Sequence, residues 1–133
     1  MGHLIGYARV SSTGQSLDVQ RGKLEAAGCE KLFEERRSAS RGSHRPKLEA
    51  CLDYVREGDI LVISRLDRMA RSVIDLAKIA EILATKGVEL RVLDQGIDTT
   101  TSEGRLMFHM LGAFAEFEND IRRERQRDGI AKA

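Results

Sequence analysis

The chain has 133 residues, enough for one domain with a single hydrophobic core and too few for two. It is 41% hydrophobic and 32% charged with a formal net charge of +1, which excludes a disordered or fibrous protein and gives no global electrostatic signature. The sequence contains no apolar run near the roughly 20 residues of a membrane helix, and its first residues do not show the pattern of a signal peptide. It also lacks zinc-type histidine spacing and a Cys-x-x-Cys motif. We therefore expect a cytoplasmic protein with no membrane, metal or disulfide framework.

Strands and helices alternate along most of the chain. In order, the pattern predicts a strand at 4–10, a helix at 16–27, a strand at 31–34, a polar loop at 38–43, a helix at 46–56, a strand at 60–63, a helix at 73–85 and a strand at 88–93. Pro46 suits the first position of its helix, and Gly28 and Gly87 suit the ends of theirs. This alternation is typical of the α/β class, and we expect three layers with a mostly parallel central sheet flanked by helices.

The last segment has a different pattern. From about residue 102 to residue 128, apolar side chains recur at helical spacing; the stripe contains Leu106, Met110, Phe114 and Phe117. A helix of about 25 residues is about 38 Å long, whereas a domain of this size has a radius of gyration of about 14 Å. We therefore divide the chain into an α/β core at 1–101 and a long helix at 102–133 that projects for dimerisation. The alternative is a helix that lies across its own sheet.

Sixteen of the 22 basic side chains are arginine, whose planar guanidinium suits phosphate and carboxylate groups. Five basic residues and no acidic ones lie between Arg36 and Lys47, and a second arginine cluster spans 65–71. Charge alone leaves two interpretations open. The clusters either contact phosphate or form an ordinary solvated, salt-bridged surface.

Two strands end in residues suited to phosphate chemistry. Ser11 follows the first strand, with Arg9 two positions earlier, and the strand at 60–63 runs into Arg68 and Arg71, which would share a face if this segment were helical. Because neighbouring parallel strands end at one edge of a sheet, we expect the four side chains in one pocket. A serine among guanidinium groups suits attack on a phosphodiester, whose developing charge they neutralise. Without the arginines, the serine is explained equally well as turn chemistry.

These blocks carry a family resemblance. The run Tyr-Ala-Arg-Val-Ser at 7–11, then Gln15 and Gln20, then Leu-Asp-Arg at 66–68 with Arg71, resemble the catalytic domain of the serine recombinases, the resolvases and DNA invertases. The resemblance covers essentially the whole chain. It implies that Ser11 attacks a DNA phosphodiester and leaves a 5′-phosphoseryl linkage and a free 3′-hydroxyl, without a metal or other cofactor.

The resemblance also implies roles by position. The residues at the scissile phosphate are Arg9, Arg45, Arg68 and Arg71, and Asp67 orients the arginines or takes part in proton transfer. Their neighbours in the active site are Gln15, Gln20 and Glu35. Further DNA contacts come from Arg41, Arg122 and Arg125. The partners implied are double-stranded DNA and a second copy of the chain, in a homodimer that assembles into a synaptic tetramer. Because such proteins continue into a helix-turn-helix domain, we expect this chain to be the catalytic part of a longer protein.

Two other functions fit parts of the pattern. A non-catalytic dimerisation scaffold of the same fold would be expected to lack the serine or the arginines, and the sequence retains both. A small-molecule phosphohydrolase would bring carboxylates for Mg²⁺ to the strand ends, where Asp67 is the only suitably placed acid. The recombinase interpretation accounts for more of the residues than either.

Overall fold

The computed structural model describes residues 2–10, 17–36 and 45–114, together with 117 and 121. Its sheet contains five strands in the order β2-β1-β3-β4-β5, namely β1 (Leu4–Val10), β2 (Lys31–Arg36), β3 (Ile60–Ile63), β4 (Glu89–Val92) and β5 (Ile97–Asp98). The first four strands are parallel, and β5 pairs antiparallel with β4. The mostly parallel sheet expected from the sequence is therefore confirmed.

Helices cover both faces of this sheet. They are α1 (Leu17–Ala26), α2 (Pro46–Tyr54), α3 (Val73–Lys86) and a further helix, α4, at 102–114, with 117 and 121 also helical. One core cluster joins α2, α3 and α4 to one face, and a second joins α1 to the other. Because successive strand residues point to opposite faces, Ile5 and Tyr7 of β1 enter the first cluster while Ala8 and Val10 enter the second. The three-layer arrangement follows from this two-sided burial.

Local signals explain where the helices begin and end. The Ser72 hydroxyl accepts a hydrogen bond from the backbone N–H of Asp75 at 3.0 Å and caps the start of α3, and Gly87 ends that helix at φ +73°. Helix α2 begins at Pro46 as expected but ends two residues before the predicted position. It stops at Tyr54 because Val55 is extended.

Two features of the sheet differ from the sequence prediction. The fourth strand is shorter than expected, since a 3₁₀ turn begins at Leu93. Strand β5 was not predicted at all, because two residues after the turn at Gly96 are too few to show a periodic pattern. The predicted loop at 38–43 lies outside the described residues.

Helix α4 separates its apolar residues into two sets. Phe108 is buried in the core, and Leu111 packs against it. The predicted stripe faces away from the core, with between 54% and 63% of each residue exposed at Leu106, Met110, Phe114 and Phe117. None of the described helices is long and apolar enough to cross a membrane.

Candidate active site

The predicted site lies where β1 and β3, which are neighbours in the sheet, reach their carboxyl ends. Arg9 is the second-last residue of β1 and is only 3% exposed. Its Nε donates to the carbonyl of Arg68 at 3.1 Å, and its Nη2 donates to the carbonyl of Asp67 at 2.5 Å. The Arg9 side chain thus reaches from one strand end to the turn that follows the other.

Gln20 contacts the main chain of Arg9 from the face of the sheet that α1 covers. Its side-chain oxygen accepts from the Arg9 backbone N–H at 3.2 Å, and its Nε2 donates to the Arg9 carbonyl at 2.9 Å. Gln20 is buried on α1, so both of its polar atoms are used within the protein. This contact positions the backbone of Arg9 and places Gln20 beside it.

Arg45 enters the same region from the start of α2. It is buried, and its Nη1 donates to the carbonyl of Met69 at 2.7 Å. Asp75 Oδ1 accepts from Nη2 of Arg45 at 3.1 Å, and its Oδ2 forms an ion pair with Nη1 at 3.0 Å. Asp75 also accepts from the backbone N–H of Arg71 at 2.8 Å. Asp75 could not be identified from the sequence, because an aspartate in the first turn of a helix is ordinary and carries no distinguishing signal.

The segment between β3 and α3 is not one continuous helix, so the condition under which Arg68 and Arg71 would share a helical face is not met. A 3₁₀ turn covers only Leu66–Arg68, and Arg71 lies outside it. The reason is Ser72, which is extended and begins a separate helix at Val73. Arg71 is nevertheless held near Arg45, because both contact Asp75.

Asp67 has a different place from the one its predicted role suggests. Its side chain is 68% exposed and its carboxylate lies 3.4 Å from Nε of Arg65. The group that Asp67 offers to Arg9 is its backbone carbonyl. Among the described residues, the carboxylate that orients arginines of the site is therefore Asp75, and a role of Asp67 in proton transfer stays a prediction.

A buried polar link lies next to the arginines. The Tyr7 hydroxyl donates to Oε2 of Glu35 at 2.6 Å, and Oε1 of Glu35 accepts from the backbone N–H of Lys47 at 3.1 Å. Burial raises the pKa of the Tyr7 hydroxyl, and the Glu35 carboxylate raises it further, so Tyr7 remains a donor. Glu35 lies opposite Arg9 in the pairing of β1 with β2. The link ties both strands to the start of α2, where Arg45 lies.

The positive charges grouped at this site favour the binding of an anion. Burial lowers the pKa of the Arg9 guanidinium, and the positive charges of Arg68 and Arg45 lower it as well. Arg9 nevertheless remains charged at neutral pH, since an arginine is essentially never deprotonated in a protein. A phosphate bound here would offset the repulsion among these groups. In the described part of the chain, no three His, Cys, Asp or Glu side chains are grouped to hold a metal ion.

Several predicted site residues lie outside the described residues. They are Ser11, Gln15, Arg41, Arg122 and Arg125. The distance between the Ser11 hydroxyl and the guanidinium groups therefore stays a prediction. The described part of the site consists of the arginines and the groups that hold them.

The chain is similar to a known protein family over nearly its whole length. A family model described as "Resolvase, N terminal domain" matches residues 4–133. The DNA-invertase of Escherichia phage P1 is 43% identical over 130 residues, which cover 98% of this chain and 69% of that protein. The integrase-like protein y4lS of Sinorhizobium fredii is 46% identical over 129 residues, covering 97% of this chain and 70% of that protein.

Solved structures agree with this similarity. The N-terminal catalytic domain of TP901-1 integrase superposes with a TM-score of 0.73 at 27% identity, over 90% of this chain and 98% of that one. A resolvase family site-specific recombinase from Streptococcus pneumoniae superposes with a TM-score of 0.77 over 99% of this chain and 97% of that one. At 23% identity, the second comparison supports the fold alone.

Proposed function

The chain belongs to the resolvase family of site-specific recombinases, as its N-terminal catalytic domain, and from that premise we propose that it cleaves and rejoins double-stranded DNA through a covalent 5′-phosphoserine on Ser11. The observation that carries the proposal is the arginine arrangement at the ends of β1 and β3. Arg9 and Arg45 are both buried, and carbonyl groups of the turn at 67–69 fix both guanidinium groups. Charges held in place before the substrate arrives need little reorganisation during the reaction, which favours catalysis at a phosphodiester.

The proposed reaction exchanges one phosphate ester for another. The Ser11 Oγ attacks phosphorus, the bond from phosphorus to the 3′-oxygen breaks, and the proton of the serine ends on that 3′-oxygen. After strand exchange, a 3′-hydroxyl attacks the phosphoserine and restores Ser11. Because the covalent ester conserves the bond energy, rejoining needs no nucleotide. Arg9, Arg45, Arg68 and Arg71 stabilise the charge that develops on the phosphate oxygens.

We further propose that the remaining predicted residues extend this site along the DNA. Arg41, Arg122 and Arg125 contact the DNA backbone, and Gln15 lies near the reacting phosphate. Residues 1–101 act as the catalytic core, while 102–133 contribute to oligomerisation and DNA contact. The reaction takes place in the cytoplasm, which suits the two free thiols of Cys29 and Cys51.

The exposed stripe of α4 supports the proposed homodimer and its assembly into a tetramer. Its four large apolar residues are more than half exposed, and such a contiguous patch is unfavourable in water unless another surface covers it. A groove of about 840 Å³ lies beside it between α3 and α4, lined by Leu83, Phe108 and Gly112 among others. A second copy of the chain carries the same stripe and the same groove. In a two-fold symmetric dimer, each copy therefore offers both surfaces to the other.

The nucleophile is tested by comparing two adjacent serines. The chain is fused to a DNA-binding domain whose recognition site is known. The fused protein is mixed with DNA duplexes in which two such sites flank a randomised central segment. The strands of each duplex are labelled at their 3′ ends. We expect the wild type and Ser12→Ala to form a labelled adduct that survives denaturing detergent, and Ser11→Ala to form none. An adduct with Ser11→Ala, or no adduct with the wild type, would contradict the proposed function.

A further inference from the structure

We propose that Asp75 is a positioning residue of the recombination reaction, whose carboxylate fixes the Arg45 guanidinium against the turn at 67–71 before DNA binds. The inference rests on the proposed function and deepens it, since it assigns a role to a residue outside the motifs that identify the site. Asp75 itself is not proposed to touch the DNA. It acts through Arg45.

Asp75 contacts Arg45 through both of its carboxylate oxygens. The two carboxylate oxygens of Asp75 meet the two terminal nitrogens of Arg45, Oδ1 with Nη2 at 3.1 Å and Oδ2 with Nη1 at 3.0 Å. A paired contact of this kind fixes the plane of the guanidinium as well as its distance. The Met69 carbonyl accepts from Nη1 at 2.7 Å and adds a third fixed point. Arg45 is therefore restrained in orientation, which is what a phosphate ligand requires of it.

The pair of Arg45 and Asp75 is largely removed from water. The side chains of Arg45 and Asp75 are only 9% and 17% exposed. Removing two charges from water costs about as much as their attraction returns, so a buried pair of this kind is weak evidence for a gain in stability. A role in holding one geometry explains its presence better.

Asp75 lies in the first turn of α3, where its main chain is also held in place. Its backbone N–H donates to the Ser72 hydroxyl at the start of α3, so the main chain beneath the carboxylate is itself held. The carboxylate then reaches the backbone of Arg71 at 2.8 Å and, across the site, Arg45 at the start of α2. One side chain thus joins the beginnings of two helices to the turn that carries two further arginines of the site.

Electrostatics keep this carboxylate ionised. Burial alone raises the pKa of Asp75, but the hydrogen bonds from Arg45 and from the Arg71 backbone, together with the charges of both arginines, bring it below its ordinary value. At neutral pH, one negative charge therefore faces the arginine cluster. It offsets part of the repulsion there and leaves the cluster positive toward a phosphate.

The test measures two quantities for the fused protein described above, the single-turnover rate of adduct formation and the affinity for DNA. We expect Asp75→Ala to slow adduct formation about 10- to 100-fold, the range for a small misplacement of a catalytic group, with DNA affinity nearly unchanged. Asp75→Asn keeps the shape and one acceptor, and we expect an intermediate rate. Rates for both variants within twofold of the wild type would overturn the inference.

The matched control is Asp98→Ala. Asp98 is also a partly buried aspartate that pairs with an arginine, since its carboxylate lies 3.3 Å from Arg91. It also accepts from the backbone N–H of Thr100 at 3.0 Å. Asp98 lies on the edge strand β5, however, and not at the ends of β1 and β3. We expect this variant to react at close to the wild-type rate. A loss equal to that of Asp75→Ala would show a general effect of removing such a pair and would contradict the specific role.

A double variant shows whether Asp75 acts through Arg45. Arg45→Lys keeps the charge and removes the paired contact, so adding Asp75→Ala to it is expected to slow the reaction by less than threefold. A full additional loss would overturn the proposed route. Thermal unfolding of Asp75→Asn checks that the rate is measured on folded protein. Failure of the wild type to form an adduct counts against the proposed function, whereas an active wild type with unaffected Asp75 variants counts only against this inference.

Discussion

Arg9 and Arg45 are buried charges whose directions are determined by carbonyl groups of one short turn. Arg9 was visible as a pattern, because an arginine near the end of an apolar strand is costly unless it faces a polar site. Arg45 lies in a cluster of basic residues, and the family resemblance assigned it to the site. Their acceptors were not predictable, since every residue carries a carbonyl and none of them leaves a signal in the sequence. Asp75 was missed for the related reason that its partner Arg45 lies 30 residues away.

The hydrogen bond from Tyr7 to Glu35 gives a prediction at this scale. Tyr7→Phe removes the hydroxyl and leaves a buried carboxylate with one partner fewer, so we expect the free energy of unfolding to fall by about 2 kcal/mol. Urea unfolding at neutral pH measures this. The matched control is Tyr54→Phe, whose ring is half exposed, and we expect a change of about 0.5 kcal/mol or less. Equal stability of the wild type and Tyr7→Phe would show that the link is not a structural contact.

At the scale of elements, periodicity predicted most of the sheet and helices because each buries an apolar face that repeats along the sequence. The segment between β3 and α3 could not be predicted in this way. Its conformation depends on the Ser72 cap and on long-range contacts from Arg9 and Arg45, none of which is periodic. The contacts from Arg9 and Arg45 also hold the arginines of the site together.

Helix α4 begins with a close approach that can be tested by substitution. A Cβ at Gly104 would lie 1.9 Å from the carbonyl oxygen of Asp98, so Gly104→Ala forces the helix away from β5. We expect it to lower the free energy of unfolding by about 2 kcal/mol. At Gly112, a Cβ would meet no described atom within 4 Å, and Gly112→Ala is expected to raise stability by up to about 1 kcal/mol. Thermal unfolding of the pair checks this, and a Gly104→Ala variant as stable as Gly112→Ala would contradict the packing described here.

At the scale of the whole molecule, the sequence predicted a long helix with an apolar stripe, and the fold places that stripe on the surface. The sequence could not separate the residues of α4 that pack on its own domain from those that do not. Phe108 and Phe114 are alike as residues, and only the position of α4 on the core makes one buried and the other exposed. We propose that a second copy of the chain covers the stripe.

Self-association is therefore predicted to depend on this stripe. In sedimentation at tens of micromolar, we expect the wild-type chain to form dimers and Phe117→Ala to shift the equilibrium toward monomer, because it removes apolar area from the contact. Ile82→Ala is the control, since Ile82 is an exposed apolar residue on α3 outside the stripe. A wild type that stays monomeric, or an equal shift with Ile82→Ala, would contradict a dimer formed through α4.

The most direct measurement is the chemical identity of the link between protein and DNA. The adduct is digested with nuclease and protease, and mass spectrometry locates the nucleotide on the peptide while end analysis identifies the released DNA terminus. We predict a nucleotide esterified to Ser11 through its 5′-phosphate and a partner strand that ends in a 3′-hydroxyl. A nucleotide on any other residue, or a link through a 3′-phosphate, would contradict the account.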